Sequence, residues 1–404
     1  MIYLGNSLVD IKSPIGPLEE KEVNFYDWDG KLLYSYTKTE FLASTDMPAL
    51  PDRTSDNLTC EGWNMTIADI ATRFNKGFHH VSVGCTYHTT DSKTHIIVKP
   101  NTDRPTAYLY IKPTIANDTV VNWGDGSSDT ISSTSTTQLS HTYSSNIFES
   151  EVDLTIESTN GLHIFTSYIG YSSDNNKSNN FIKIFLSSNS RIGGSNIFYN
   201  LYYLESITIH KDIIKDTTLP NATMWFAYCV SLKHLNTPPI VIGRGILQYC
   251  SSVKRASIPY LQSGYVAFQY CSHLEKCEVL FNRGTTSSDH TGMGSMYGYN
   301  TALKHVYIDE RITTTDTNCF TVCYNVEEVI LPSTLTSVSN NIFTKCVKLK
   351  NIYIKATSVP TLSSALTAPN DFYKIYVPRN SYSSYITASN WSDIASHIYP
   401  YDFN

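Results

Sequence analysis

Charge is scarce in this chain. Asp, Glu, Lys and Arg make up 16% of its 404 residues, against roughly a quarter in an average soluble domain. No block of Lys and Arg occurs, and the formal net charge is only -6. A phosphate-backbone binder carries a basic footprint, so no nucleic acid is expected as a partner. No run approaches the ~20 apolar residues of a membrane helix, and no membrane insertion is expected. The first residues, MIYLGNSLVDIKSPIGPLEE, lack the basic segment and apolar core of a secretory signal. The expectation is a processed form, or a protein that leaves its cell without Sec export.

Catalytic signatures are missing as well. There is no G-x-S-x-G elbow, P-loop, H-E-x-x-H or dinucleotide fingerprint. No C-x₂-C pair of the kind a zinc site uses is present. A glycosidase needs two carboxylates across a cleft, whereas the acidic residues here are scattered. The adjacent Asp289 and His290 form the one compact polar cluster of interest, and they read as a solvated loop. The expected protein is not an enzyme and has no catalytic, cofactor-binding or metal residues.

What is abundant points to β structure. The chain has 29 Tyr among many Ser, Thr and Asn, and Tyr and Thr suit half-buried pleated surfaces. Nine cysteines, an odd number spread over a long chain, do not make the dense framework of a small disulfide scaffold.

The decisive feature is a repeat. FYNLYYLESITI starts at Phe198, FAYCVSLKHLNT at Phe226, LQYCSSVKRASI at Leu247 and FQYCSHLEKCEVL at Phe268. YGYNTALKHVYI follows from Tyr297, FTVCYNVEEVIL from Phe320 and FTKCVKLKNIYI from Phe343. The template is an aromatic or apolar anchor, Cys at +3, Leu or Val at +6, and mostly apolar residues at +9 and +11. Anchor, +3 and +6 predict one buried face of a short helical or 3₁₀ turn. Positions +9 and +11 predict a short strand with one buried face, ended by Pro259 and Pro332 in two copies. One copy buries too little to fold alone, but stacked copies share a core, as in a solenoid.

These residues resemble BspA-type leucine-rich repeats, over roughly residues 170–404. The closing segment Phe372–Tyr401 resembles the strand-plus-helix cap that often ends such arrays. Two departures stand out: Leu201 and Asn300 occupy the usual Cys slot, and insertions precede Phe226 and Tyr297, the second being Phe281–Met296. Within the template Cys229, Cys250, Cys271, Cys323 and Cys346 fill +3, and Cys277 fills +9. All six are expected to be buried free thiols acting as small hydrophobes, with a disulfide or a metal site as the alternatives. His273 at +5 is expected to face out.

Upstream, VVNWGDGSSDT, LSHTYSS and EVDLTIES resemble a PKD-type immunoglobulin-like β-sandwich, whose signatures stand here as Trp123–Gly126 and His141–Tyr143. Asp125 and His141 are expected to fix a turn and a strand corner; a Ca²⁺ ligand or a catalytic pair is the alternative. Nearer the start, VNFYDWDGKLLYSYT (Val23–Thr37) predicts a hairpin with Asp-Gly at its turn. KTEFLAST and WNMTIADIATRF predict short helices, and Val81–Pro100 predicts a second hairpin. His79 and His80 read as loop histidines. This stretch resembles a small module near the N-termini of structural and tail-associated proteins of gut bacteriophages.

The expected fold is therefore mainly β: a BspA-type leucine-rich-repeat solenoid (169–404), preceded by a PKD-like immunoglobulin-type β-sandwich (96–168) and a small α+β N-terminal module (1–95). The resemblances imply a non-enzymatic bacteriophage virion protein, tail- or capsid-associated, located on the particle surface. Its N-terminal module would attach to other virion proteins, with a homo-oligomer in the particle, and its repeats would bind a host surface glycan or protein as an adhesin. A purely structural virion component and a bacterial cell-surface BspA-like adhesin are the alternatives. Residues flanking +9 and +11 are expected on an exposed, ligand-binding sheet face. They are Thr208, His210, Arg255, Ser257, Lys276, Glu278, His305, Tyr307, Asp309, Glu328, Asn351, Tyr353 and Lys355.

Overall fold

A computed structural model describes residues 19–403, apart from positions 167, 171–179, 215–222, 240, 262–264, 278–279, 282–292, 307, 365, 367–369 and 371. At Val241, Ile242, Lys276, Cys277, Leu280, Phe281 and His305 the backbone alone is described.

The first hairpin forms as its sequence predicts. Strands β1 (Val23–Tyr26) and β2 (Leu32–Tyr36) pair antiparallel around a turn where Gly30 has φ +84°. Helix α1 (Lys38–Leu42) starts at a capping box of Thr37 and Glu40, and α2 (Ile67–Asn75) at one of Thr66 and Asp69. Each box satisfies amide donors that a first helical turn leaves open. Phe41, Ile70 and Phe74 seal the helices onto Val23, Phe25, Val81 and Val83 of the sheet.

The second hairpin does not form. Its two halves are strands, β3 (Leu58–Trp63) being followed by β4 (Val81–Thr89) and β5 (Thr94–Val98), but β4 and β5 do not pair with each other. β4 lies between β1 and β3, while β5 joins the next layer. Alternation marks a strand without naming its neighbour, and the 95/96 boundary falls inside β5.

Two sheets follow. One has the order β14-β12-β5-β10-β7-β8 and the other β13-β11-β6-β9. The members are β6 (Thr106–Pro113), β7 (Thr119–Asn122), β8 (Ser128–Ile131), β9 (Thr137–Thr142), β10 (Val152–Ser158), β11 (His163–Phe165), β12 (Phe181–Phe185), β13 (Ser190–Ile192) and β14 (Ser206–Thr208). Antiparallel pairing gives way to parallel pairing at β11–β13 and β12–β14. Both sheets thus run without a break into the first coils, across the 168/169 boundary. One buried apolar cluster extends from Ile96 to Ile398. The sheets cover the solenoid's open end, which would otherwise present unpaired strand edges.

From Phe181 onward the chain coils. One ladder pairs His234–Asn236 with Arg255–Ser257; Lys276–Cys277, His305–Val306, Glu328–Leu331, Asn351–Ile354, Lys374–Pro378 and Ile398–Tyr401 then stack in parallel. A second ladder, which the template missed, is built of two-residue strands such as Thr314–Thr315, Ser337–Val338 and Thr361–Leu362. The chain is mainly β, with a β-solenoid over about residues 163–401.

The anchor segment is not a helix. It is a run of tight turns, with Cys229 N–H donating to Phe226 O and Leu232 N–H to Cys229 O, 3.1 Å each. Every residue at +2 has a left-handed backbone: Asn200, Tyr228, Tyr249, Tyr270, Tyr299, Val322 and Lys345, with φ between 63° and 66°. That turn swings amides toward the next coil, so Tyr228 N–H donates to Gln248 O at 2.8 Å and Tyr249 N–H to Gln269 O at 2.8 Å. Period three survives as i to i+3 turns, while the remaining bonds run between coils. At the far end Tyr385 of the helix Tyr382–Thr387 donates to Ala356 O, and Trp391 Nε1 to Pro360 O, both at 2.8 Å. The final strand, missed in the sequence, carries Pro400, which limits further strand addition.

Candidate binding surface

The +3 slot holds a specific bond. Cys229 Sγ donates to Phe198 O at 3.0 Å, Cys250 to Phe226 O at 2.8 Å and Cys271 to Leu247 O at 2.9 Å. Cys323 and Cys346 donate to Tyr297 O and Phe320 O, each at 3.0 Å. Each thiol reaches the anchor carbonyl of the preceding coil. Burial pushes the thiols of Cys229, Cys271 and Cys346 up to about 12. All five are free and buried, as expected; the Cys277 side chain lies outside the described residues. Asn300 replaces the bond with Nδ2 donating to Phe268 O at 2.9 Å. Its buried Oδ1 finds no partner among the described residues. Anchor rings stack above these bonds, Tyr297 on Phe320 and Phe320 on Phe343 at 5.6 Å each.

This periodic core agrees with the comparison to known families. The model of the BspA type leucine rich repeat region, in six copies, matches residues 162–275, 267–370 and 291–392, together more than half of the chain. The chain belongs to the BspA-type leucine-rich repeat family. No curated protein matches it.

The BspA-type ladder has a polar outer face, and the structure divides it in two. Over the first coils that face is covered by the N-terminal module. Thr208, His210 and Ser257 are each only 1% exposed, contrary to the expectation that they line an open surface. β4 lies across the strands that carry Thr208 and Ser257. Ser257 Oγ donates to Ser82 O at 2.7 Å, and Asn64 Nδ2 donates to Thr237 O at 2.8 Å and to Ser257 Oγ at 3.0 Å. Asn236 Nδ2 donates to Asp27 O at 3.1 Å. Arg73 Nη2 donates to Pro259 O at 2.7 Å, and Arg255 pairs with Glu20. Gly84 makes the approach possible: a Cβ there would sit 2.2 Å from Asn236 Cγ. Repeat patterning marks a face as polar but does not say whether water or protein meets it.

Two buried histidines belong to this seam. His210 Nε2 lies 2.9 Å from Ser190 O, and burial lowers its pKa to about 4. His234, beside Asn236 and the Tyr26 ring, is lowered to about 4 by burial. Deeper still, His163 sits among Thr94, Ser158 and Ser190 at 3.0 Å from each, lowered to about 3 by burial.

The second half of the BspA-type face carries the open candidates. Glu328, Asn351, Tyr353 and Lys355 are partly exposed. Asp309 is not: it is 1% exposed, its carboxylate turned onto Arg311 at 3.0 and 3.2 Å. The His305 and Lys276 side chains, Glu278, Tyr307, and Asp289 with His290 lie outside the described residues. Register adds residues that the template omitted. Asn351 pairs with Lys374, Tyr353 with Tyr376, and Tyr376 with Tyr399. Tyr353 stacks on Tyr376 at 4.8 Å, and Tyr401 meets both rings edge-on at 5.2 and 5.6 Å. Burial and the neighbouring Glu328 carboxylate raise the pKa of Tyr353. Tyr399 and Tyr401 are each 40% exposed. The Tyr-rich ending IYPYDF was the available signal for this cluster.

Elsewhere the polar clusters close on themselves. His141 Nε2 lies 2.7 Å from Asp125 Oδ2, its ring stacks on Trp123 at 5.0 Å, and Asp125 Oδ1 accepts from Ser127 N–H and Oγ. Tyr143 donates to Trp123 O at 3.0 Å. Together they hold the turn and strand corner. His80 Nδ1 lies 3.1 Å from Lys21 O, and His273 is exposed with Nδ1 2.6 Å from Ser251 O. Among the described residues no three His, Cys, Asp or Glu side chains converge as a metal site.

Proposed function

We propose that the chain is a non-enzymatic binding protein, an adhesin that contacts a bacterial surface through the uncovered half of its BspA-type sheet. The observation that carries this reading is the division of the face. Its first coils are buried against the N-terminal module, while Glu328, Asn351, Tyr353, Lys374, Tyr376, Tyr399 and Tyr401 remain at least partly exposed. Phenol edges and hydroxyls beside Lys and Glu side chains suit a ligand rich in hydrogen-bonding groups.

The finer reading is a bacteriophage virion protein, carried on the particle and directed at the host cell. Its support is the resemblance of Val23–Thr37 and the following helices to modules of phage tail-associated proteins. The same module keeps an outward groove lined by Met47, Pro48, Leu50, Trp63 and Ile67, a suitable contact for another virion protein.

The test is retention of the labelled full chain on intact bacterial cells. Replacing Tyr353, Tyr376 and Tyr401 together by Ser is expected to lower retention at least tenfold with the melting temperature of the solenoid preserved within a few degrees. Undiminished retention by that variant would remove the sheet face as the recognition surface. Copurification with phage particles rather than with cell envelopes separates the virion reading from that of a bacterial surface adhesin.

A further inference from the structure

A second surface lies on the turn column, away from the sheet. Tyr228, Tyr249, Tyr270 and Tyr299 occupy +2 in four successive coils, and their rings stack at 4.5, 4.4 and 4.3 Å with interplanar angles of 12°, 9° and 12°. Tyr199 extends the row at 5.4 Å. The backbone at +2 does not ask for tyrosine. A left-handed residue is most comfortably Gly or Asn, and the first copy has Asn200 there with φ 64°. Val322 and Lys345 take the position after Tyr299 with the same backbone. Four consecutive tyrosines in a strained conformation are therefore a choice about the surface, one that ring stacking only partly offsets.

The chemistry of the row is uniform. Tyr249 and Tyr270 have both ring faces covered by neighbouring rings, so along the middle of the row edges and hydroxyls are what a ligand meets. Burial and the neighbouring tyrosines raise the pKa of Tyr228 and Tyr270. Beside the rings run Gln248 and Gln269, with Gln248 Nε2 donating to Gln269 Oε1 at 2.8 Å. The first cation at +2 is Lys345, beyond the row. At the +2 positions of the row a polyanion would find no counter-charge. A protein partner would find little apolar area, because the ring faces that usually anchor one are already covered. Phenol hydroxyls donate and accept, and ring edges are electropositive. Both complement a chain of uncharged hydroxyl and ether oxygens.

We propose that the stacked row Tyr228–Tyr249–Tyr270–Tyr299, with Tyr199 tilted against its end, is a binding site for a neutral polysaccharide, which lies along the phenol edges. This site is separate from the sheet face.

Affinity electrophoresis of the full chain through gels containing dextran, mannan or mixed-linkage β-glucan tests it. At least one of these is expected to retard the protein. The triple variant Y249N/Y270N/Y299N is expected to weaken that retardation at least tenfold while melting within a few degrees of the parent, since Asn fits the left-handed turn. Y249F/Y270F/Y299F keeps the stacked rings and is expected to lose part of the affinity, severalfold. The Tyr353/Tyr376/Tyr401 variant is expected to be retarded like the parent, so failure here is distinguishable from failure of the sheet reading. Three results would overturn the proposal: no retardation by any of the three polymers, undiminished retardation of the Asn variant, or competition by heparin.

Discussion

Lowering the pH from 6 to 5 perturbs the three buried histidines and little else in the core. His163, His210 and His234 are held neutral, their pKa values lowered to about 3, 4 and 4 by burial, while an unfolded histidine titrates near 6.5. Each contributes stability that is complete above about pH 6.5 and is lost as pH falls through the window toward 4, because the unfolded chain takes up protons that the fold refuses. At pH 6 the three together have lost about 2.5 kcal/mol, and at pH 5 about 6 kcal/mol. The drop between them, about 3.5 kcal/mol, is a large part of a typical folding free energy. His95 opposes this at higher pH: its pKa is raised by its bond to Asp153, with Asp91 on its other nitrogen at 2.9 Å. Its stabilisation is already present at pH 6 and therefore cancels from the comparison. The assay is urea unfolding followed by circular dichroism at both pH values, with an expected fall in midpoint of about 1 M. The variant His163→Gln should flatten the dependence by about a third. A midpoint that stays constant between pH 6 and 5 would refute the reasoning that these rings are buried neutral.

Four further outcomes follow from the packing. Gly84→Ala places a methyl against Asn236, so the N-terminal module should lift from the ladder; proteolysis near residues 90–93 should quicken at least tenfold, and an unchanged rate would show the interface to be tolerant. Asn300→Cys restores the thiol bond and removes a buried oxygen without a partner, a gain of about 1 kcal/mol readable as a higher melting temperature. Cys271→Ala removes the thiol donor to Leu247 O, which keeps the Cys250 N–H, and opens a small cavity, costing about 1–2 kcal/mol in the same measurement. Thiol titration should find the five +3 cysteines unreactive in the native protein and all accessible in urea, and ready native labelling would contradict their burial.

The sequence by itself determined the repeat, its anchors and the fate of its cysteines. Those properties belong to spacing: residues three apart in a turn and two apart in a strand share a face, and recurrence in seven copies leaves one way to bury them together. The two short helices and the Asp-Gly turn of the first hairpin were legible for the same local reason. Tertiary structure alone decided what meets each face. Thr208, His210 and Ser257 carry the same polar pattern as Asn351 and Tyr353, yet the first three lie beneath the N-terminal module, where Gly84 fits over Asn236 and Asn64 bonds to Thr237 and Ser257. Alternation in Val81–Pro100 announced two strands, but their partners, β1 and β3 for one and β10 and β12 for the other, were set by long-range packing. The stacking of Tyr228, Tyr249, Tyr270 and Tyr299 needed both levels. Spacing placed a tyrosine in each coil, and only the left-handed turn and the pitch of the solenoid brought the rings face to face.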